Sequence, residues 1–210
     1  MKGVLFGTIH SNTNFSLILS KKVIETPKPK TSFVEVEGSD GVVDLTEYFG
    51  EVKYENRQLK FTFSVVDSNY STKFSELSNA IHGRFLKIII DDDPNYYYMG
   101  RVSVDQWNSN PILQTIVVTC DCEPYKYKLN NTVVTTTVTT TKTLSLTNLK
   151  KKVSPTFTTT ASFTITFGSI VTTHSAGTFI LPDIQLLEGV NSIKFDGTGS
   201  VTITYQERGL

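Results

Sequence analysis

The sequence predicts a mainly β protein of two domains. The first is an N-terminal β-sandwich-like domain with one helix, and the second is a C-terminal β-sandwich. Three observations carry that prediction. β-Branched and aromatic residues are abundant, with thirteen Phe and nine Tyr in 210 residues, and such side chains suit pleated, half-buried surfaces. Alternation runs through Lys60-Phe61-Thr62-Phe63-Ser64-Val65 and again through Ser162-Phe163-Thr164-Ile165-Thr166-Phe167, and period two is the signature of a strand. Composition also shifts near residue 128. Residues 1–128 hold 14 basic and 16 acidic side chains, a net of −2, whereas residues 129–210 hold 6 and 4, a net of +2, and are dense in Thr. The boundary is placed at Leu129-Asn130-Asn131, after the Pro124 turn, giving domains of residues 1–130 and 131–210.

In the first domain strands are expected near 3–9, 15–19, 32–36, 51–54, 58–66, 85–90, 96–105 and 112–121. A helix is expected over about 70–82. Ser71 is its candidate cap, and Phe74, Leu77 and Ile81 form one apolar stripe. Gly83 stands where a left-handed C-cap belongs. Asp92-Asp93-Pro94-Asn95 reads as a tight turn between an apolar strand and a tyrosine-rich one. In the second domain short strands are expected near 133–138, 143–147, 156–159, 161–167, 169–173, 177–181, 191–195 and 200–205. Gly168, Gly177, Gly189 and Asp196-Gly197 punctuate them, and regular short strands suggest a β-sandwich or jelly roll.

Charge and composition exclude several function classes. The chain has 20 Lys+Arg and 20 Asp+Glu, so it lacks the cationic excess that a nucleic-acid binder uses to neutralise phosphates. No apolar run approaches the roughly 18 residues of a membrane span. MKGVLFGTIHSNTNF lacks the apolar core and cleavage site of a signal peptide, which predicts folding in the cytoplasm where the chain is made. Cys120 and Cys122 stand two apart on one strand face, too far for a relaxed disulfide and without partners for zinc, so they read as small buried thiols. The three histidines are scattered, and His82 reads as a helix-end packing residue. Asp91-Asp92-Asp93 lacks the spaced ligand ladder of a calcium loop and reads as a solvated turn. No metal and no cofactor is expected, and no catalytic constellation is present. A carbohydrate-binding module acting directly on a cell wall is the competing reading. It would stack sugars on Tyr96, Tyr97, Tyr98 or Trp107, although Trp107 reads first as core. A hydrolase recruiting Glu123 or Asp105 has no support in spacing.

One series of motifs is more specific. Thr26-Pro27-Lys28-Pro29-Lys30 precedes Gly38-Ser39-Asp40-Gly41 and Val43-Asp44-Leu45-Thr46, then Tyr54-Glu55-Asn56-Arg57. His82-Gly83-Arg84 follows, then the acidic turn, Tyr98-Met99-Gly100-Arg101, and Cys120-Asp121-Cys122-Glu123-Pro124. Their order and spacing resemble the distal tail protein family of long-tailed, non-contractile bacteriophages. The chain's ending is also similar, with Glu188-Gly189-Val190-Asn191 before a strand, then Gly197-Thr198-Gly199 and a last strand closing on Tyr205. Asn148-Leu149-Lys150-Lys151-Lys152-Val153-Ser154-Pro155 departs from the family, which carries a glycine turn there.

The resemblance implies a structural virion protein at the phage tail tip. It would form a homo-hexameric ring linking the tail tube protein to the tail-associated or baseplate protein, and could carry receptor-binding proteins. It also implies that the first domain carries an extended, belt-like arm over about residues 22–50 and that the C-terminal domain is galectin-like. The galectin sugar-binding constellation is missing from residues 129–210, which contain no Trp. The region implied to lock neighbouring subunits comprises Pro27, Pro29, Gly38, Asp40, Gly41, Asp44, Tyr54, Asn56 and Arg57. For Arg57 a turn-stabilising role competes with a subunit contact.

Overall fold

The computed structural model describes residues 2–48, 50–65, 70–109 and 114–210. The chain divides into two compact units, Met1–Lys126 with Leu210, and Tyr127–Gly209.

The first unit contains β1 (Val4–Phe6), β2 (Ile9–His10), α1 (Ser11–Phe15), β3 (Ile18–Ile24), β4 (Phe33–Glu35), β5 (Val42–Asp44), β6 (Arg57–Val65), α2 (Tyr70–Ile81), β7 (Phe85–Ile90), β8 (Tyr96–Ser109) and β9 (Gln114–Cys122). Antiparallel pairing gives one sheet in the order β2-β1-β7-β8-β9-β6-β3. Three strands separate β1 from β6 in that order. Even so, the Phe6 ring meets those of Phe61 and Phe63 edge-on at 6.0 and 6.4 Å. The sandwich-like layering is therefore one sheet curled over itself. β6 alternates strictly, sending Leu59, Phe61, Phe63 and Val65 inward. Helix α2 adds Leu77 and Ile81 to the same core, as its apolar stripe requires.

Local punctuation differs from expectation at three places. The strand expected over 3–9 is broken at Gly7, whose φ of 65° turns the chain into β2. Helix α1 follows immediately, because His10 caps it: Nδ1 accepts the backbone N–H groups of Asn12 and Thr13, both at 3.3 Å. This pushes the next strand from 15–19 to Ile18–Ile24. Ser71, the expected cap of α2, lies inside its first turn, and the residues just before Tyr70 are outside the described set. The start of the strand expected over 112–121 also lies outside that set.

The motifs that invited chemistry have structural work. His82 Nδ1 accepts the N–H of Val104 at 3.0 Å, where the β8–β9 register shifts between Val104 and Gln106. Gly83 (φ 74°) donates its N–H to Val102 O, and Arg101 Nη1 donates to Gly83 O. The acidic run is a clasp in which each carboxylate holds a different segment. Asp91 accepts from Gly3 N and faces His10 Nε2, Asp92 pairs with Lys2 and Lys22, and Asp93 pairs with Lys126 at 3.0 Å. Among the described residues no group of three or more His, Cys, Asp or Glu is arranged to hold a metal ion.

Hydrogen bonds from Lys2 and Lys22, then their charges, draw the Asp92 carboxyl from its ordinary 3.8 to about 2. A depressed carboxylate stabilises the fold fully above its unfolded value, and that contribution disappears as pH falls through the folded value. Asp92→Asn should therefore lose less melting temperature than the wild type between about pH 4 and pH 2. Equal losses in paired thermal melts would exclude a linked role for the clasp.

Cys120 and Cys122 are free and buried on the inner face of β9. Burial raises both thiols, Cys122 to about 12, so the reactive thiolate is scarce. In the native protein neither should react with a thiol reagent within minutes, and both should react in denaturant. Rapid labelling of the native chain would show that the β9 core opens readily.

The second unit is a β-sandwich. After β10 (Lys126–Lys128), which spans the boundary residue, its strands are β11 (Thr132–Val138), β12 (Thr141–Asn148), β13 (Thr156–Thr159), β14 (Phe163–Phe167), β15 (Ile170–His174), β16 (Gly177–Ile180), β17 (Gly189–Asp196), β18 (Gly199–Tyr205) and β19 (Arg208–Gly209). Two four-stranded antiparallel sheets, β11-β18-β13-β16 and β12-β17-β14-β15, enclose a core of Phe157, Phe163, Ile165, Ile193, Phe195 and Ile203. Thr135–Thr137 lie in strand β11, which pairs along its length with β18. Thr hydroxyls pair across the exposed face, as at Thr135–Thr202 and Thr158–Thr178.

Candidate assembly interface

Between β3 and β6 the chain leaves the first unit's sheet and returns as a projecting two-stranded arm. The proline segment forms its neck. Pro27 and Pro29 cannot donate hydrogen bonds, so the neck is stitched through the residues beside them. Lys28 O accepts from Glu55 N at 2.8 Å, Lys30 N donates to Lys53 O at 2.7 Å, and Pro29 bridges to Tyr54. The neck is thus a laddered ribbon, with prolines at positions where no donor is needed.

Beyond the neck, β4 and β5 pair with Phe33 opposite Asp44, Val34 opposite Val43 and Glu35 opposite Val42. Gly38 and Gly41, with φ of 85° and 75°, make the tip turn, a conformation that glycine adopts without a Cβ penalty. The neck end of the hairpin is fixed by Asp44, whose Oδ1 accepts the N–H of Thr46 at 2.8 Å, while Ser32 N donates to Thr46 Oγ1. Hydrogen bonding from the Thr46 side chain, then from its backbone N–H, holds the Asp44 carboxyl below its ordinary range. Pro29 and Asp44 line one shallow groove beside Thr31 and Val52.

The hairpin buries little of its own apolar surface. Phe33 is 55% exposed, Val42 54% and Tyr48 72%, and Val34, Val36 and Val43 are exposed too. An isolated two-stranded ribbon is marginally stable in water, and a contiguous exposed apolar patch marks a place where another surface docks. Reasoning from motifs had singled out the turn-forming residues of this segment and passed over Phe33, Val34, Val36, Val42 and Val43. Their signal in sequence is the pair of short apolar runs flanking the glycine turn.

The implied interface residues separate into three groups. Pro29, Gly38, Asp40, Gly41, Asp44 and Asn56 are exposed on the arm or its base. Tyr54 is half-buried, its ring 6.0 Å from that of Tyr125 in a T-shaped pair. Pro27 and Arg57 are buried. The Arg57 guanidinium lies 5.5 Å over the Tyr98 ring. Burial lowers its pKa, with Tyr98 opposing the shift, and a guanidinium stays charged regardless. Nε and Nη2 of Arg57 find no hydrogen-bond acceptor among the described residues. Arg57 therefore braces the root of the arm from inside its own unit.

The tyrosines considered for sugar stacking are covered by cations of their own unit: Lys126 over Tyr96, Lys87 over Tyr97 and Arg57 over Tyr98. The side chain of Trp107 is outside the described set. Asp105 bonds Thr119 on the outer face of the sheet and lines a groove with Arg101, Lys60 and Asp121. Among the described residues no helix is long and apolar enough to cross a membrane.

A curled sheet with a projecting hairpin, followed by a separate β-sandwich, defines a two-unit, mainly β fold of antiparallel sheets. No family model matches the sequence, and the search of curated proteins finds no match. Among solved structures the chain is similar to the SPP1 Dit (gp 19.1) protein, described as a paradigm of the hub adsorption apparatus in phages that infect Gram-positive bacteria. The likeness covers 98% of this chain and 99% of that one, with a TM-score of 0.71 at 16% sequence identity. This chain therefore shares the Dit fold in both of its units.

Proposed function

We propose that the chain is a structural virion component of the phage tail tip. Its first unit closes a homo-hexameric ring, linking the tail tube protein on one side to the tail-associated or baseplate protein on the other. The second unit is a galectin-like sandwich that carries receptor-binding or accessory proteins. The chain is made in the host cytoplasm and performs no chemistry. The observation that carries this reading is the likeness to the Dit hub protein over both units. The arm adds independent support, because an apolar ribbon that its own unit leaves uncovered is suited to a neighbouring copy. A closed ring requires a heterologous contact, one face meeting a different face of the next copy, and a hairpin projecting from the sheet supplies such an asymmetric pair.

Light scattering after size exclusion, with negative-stain imaging of the peak, tests the reading. A ring of about six copies with a central hole is expected. A chain that stays monomeric at every concentration, and also when purified tail tube protein is added, would sink it.

A further inference from the structure

The sequence contains two Asp-Gly pairs, Asp40-Gly41 and Asp196-Gly197. In such a pair the main-chain nitrogen of the glycine can reach the side-chain carboxyl of the aspartate, because glycine brings no Cβ to obstruct the approach. Whether the two groups meet depends on what else holds them. The fold treats the two pairs in opposite ways.

Asp40-Gly41 lies at the tip of the arm, in the turn after Glu35 and before Val42, the last paired residues of β4 and β5. Both are exposed. Ser39 N donates to Val36 O at 3.1 Å, and Ser39 Oγ donates to Asp40 O at 3.3 Å. Among the described residues neither the Asp40 carboxylate nor the Gly41 N–H has a hydrogen-bond partner. A Cβ added at Gly41 would meet nothing within 4 Å. Asp196-Gly197, at the end of β17, is held at every corresponding point. Asp196 accepts from Thr141 Oγ1 at 2.6 Å and pairs with Lys194 at 2.9 Å. Those two bonds keep its carboxyl below the ordinary range, and an ionised carboxylate is the poorer target for a nucleophile. Gly197 N donates to Thr140 O at 2.8 Å. A Cβ there would lie 2.7 Å from Phe163 Cδ1 and 2.9 Å from Ser162 O.

We infer that Asp40-Gly41 is a self-modification site, converting to isoaspartate in the folded chain while Asp196-Gly197 is protected. Gly41 N adds to Cγ of the protonated Asp40 carboxyl. The N–H proton and the carboxyl hydroxyl leave together as one water, and a cyclic succinimide closes. Water then adds back at one of the two ring carbonyls. Breaking the N–Cγ bond regenerates aspartate. Breaking the bond from N to the former main-chain carbonyl leaves isoaspartate, in which the chain runs through Cβ and Cγ and the old main-chain carbonyl has become the free carboxylate. One water is lost and one regained, and no oxidant or reductant takes part. The product keeps its charge but has an extra methylene in the main chain of the tip. Hairpin register depends on turn length, and a ribbon with only three paired residues on each strand has little to resist a shift. Val34 and Val43, now opposite one another, lose their alignment. This consequence rests on the ring reading above: a converted arm fits its neighbour less well, so unassembled chains lose assembly competence with age.

Peptide mapping of the full chain, aged warm at neutral pH and high dilution, tests the site. An endoprotease that cuts before aspartate but not before isoaspartate reads each position, and a free peptide spanning Val36 to Val43 sets the unrestrained rate. Asp40 is expected to convert within severalfold of the peptide. Asp196 should convert about tenfold more slowly or less, since a held pair reacts only from locally opened states. A chain carrying Asp40→Glu, whose longer side chain closes a succinimide no more, should show no conversion at that position. Equal rates at Asp40 and Asp196, or an Asp40 that stays unconverted while the peptide reacts, would overturn the site. The consequence has its own readout. Partly aged chain is concentrated and separated by size exclusion, and the isoaspartate share of each peak is mapped. Depletion from the assembled peak is expected. An equal share in both peaks would overturn the consequence and leave the ring standing. Absence of any assembled peak would overturn the ring reading and the consequence together, and the peptide map would still decide the site.

Discussion

Phe33→Ser combined with Val42→Ser is expected to abolish the proposed ring assembly while leaving each chain folded. Both side chains are more than half exposed on the arm, so neither contributes much to the core of its own unit. Buried against a neighbour, a side chain of this kind contributes about 1.5–3 kcal/mol. Losing two at one interface removes about 3–6 kcal/mol, or roughly a hundredfold to ten-thousandfold in the association constant. A ring repeats that loss at every interface, so assembly should fail over the whole accessible concentration range. The melting midpoint and far-ultraviolet circular dichroism should match those of the wild-type monomer. Retention of the ring by the double variant would show that the arm is not the adhesive element. A monomer that has also lost its melting transition would mean that the ribbon belongs to the fold.

The sequence was most legible where periodicity and burial act together. β6 alternates because one face meets the core, and Lys60 to Val65 say so directly. The helix over 70–81 was readable because Leu77 and Ile81 share a stripe that had to be buried. The β-sandwich strands of residues 129–210 followed from glycine turns separating alternating runs. What stayed hidden depends on contacts between residues remote in sequence. Nothing local announces that one sheet will curl until Phe6 meets Phe61, or that His10 will cap a helix of five residues. For the arm, the turn chemistry of Gly38 and Gly41 was visible while the neck ladder was not, since prolines argue against pairing unless the donors come from their neighbours. Arg57 shows the same limit. A planar fork of donors is compatible with a turn-stabilising role or a subunit contact, and only its place in the inward-facing series of β6 shows that it lies against Tyr98.

Gly100 illustrates a motif whose presence was legible and whose cause was not. In sequence it is the glycine of Tyr98-Met99-Gly100-Arg101. In the structure it pairs with Cys122 at the end of the β8–β9 ladder, with Arg57 on the other side of that cysteine. A Cβ added there would lie 2.5 Å from Cys122 Sγ, 2.6 Å from Asp121 O and 2.8 Å from Cys122 Cα. Two of those three atoms are backbone, so no rotamer change can clear them. Gly100→Ala must separate β8 from β9 or bend one of them, and overpacking of this kind costs about 1–3 kcal/mol or more. A fall of about 10 °C in the melting midpoint of the first unit is expected. Gly83→Ala is the matched control. Its φ of 74° strains any side chain, yet nothing lies within 4 Å of the added atom, so its cost should be the smaller, confined to the strain of a left-handed alanine. Adding Cys122→Ala to Gly100→Ala relieves only the sulfur contact and should restore part of the loss. Full restoration would show that the side chain, and not the closeness of the two backbones, makes glycine necessary. An unchanged midpoint for Gly100→Ala alone would mean that β8 and β9 stand farther apart than described.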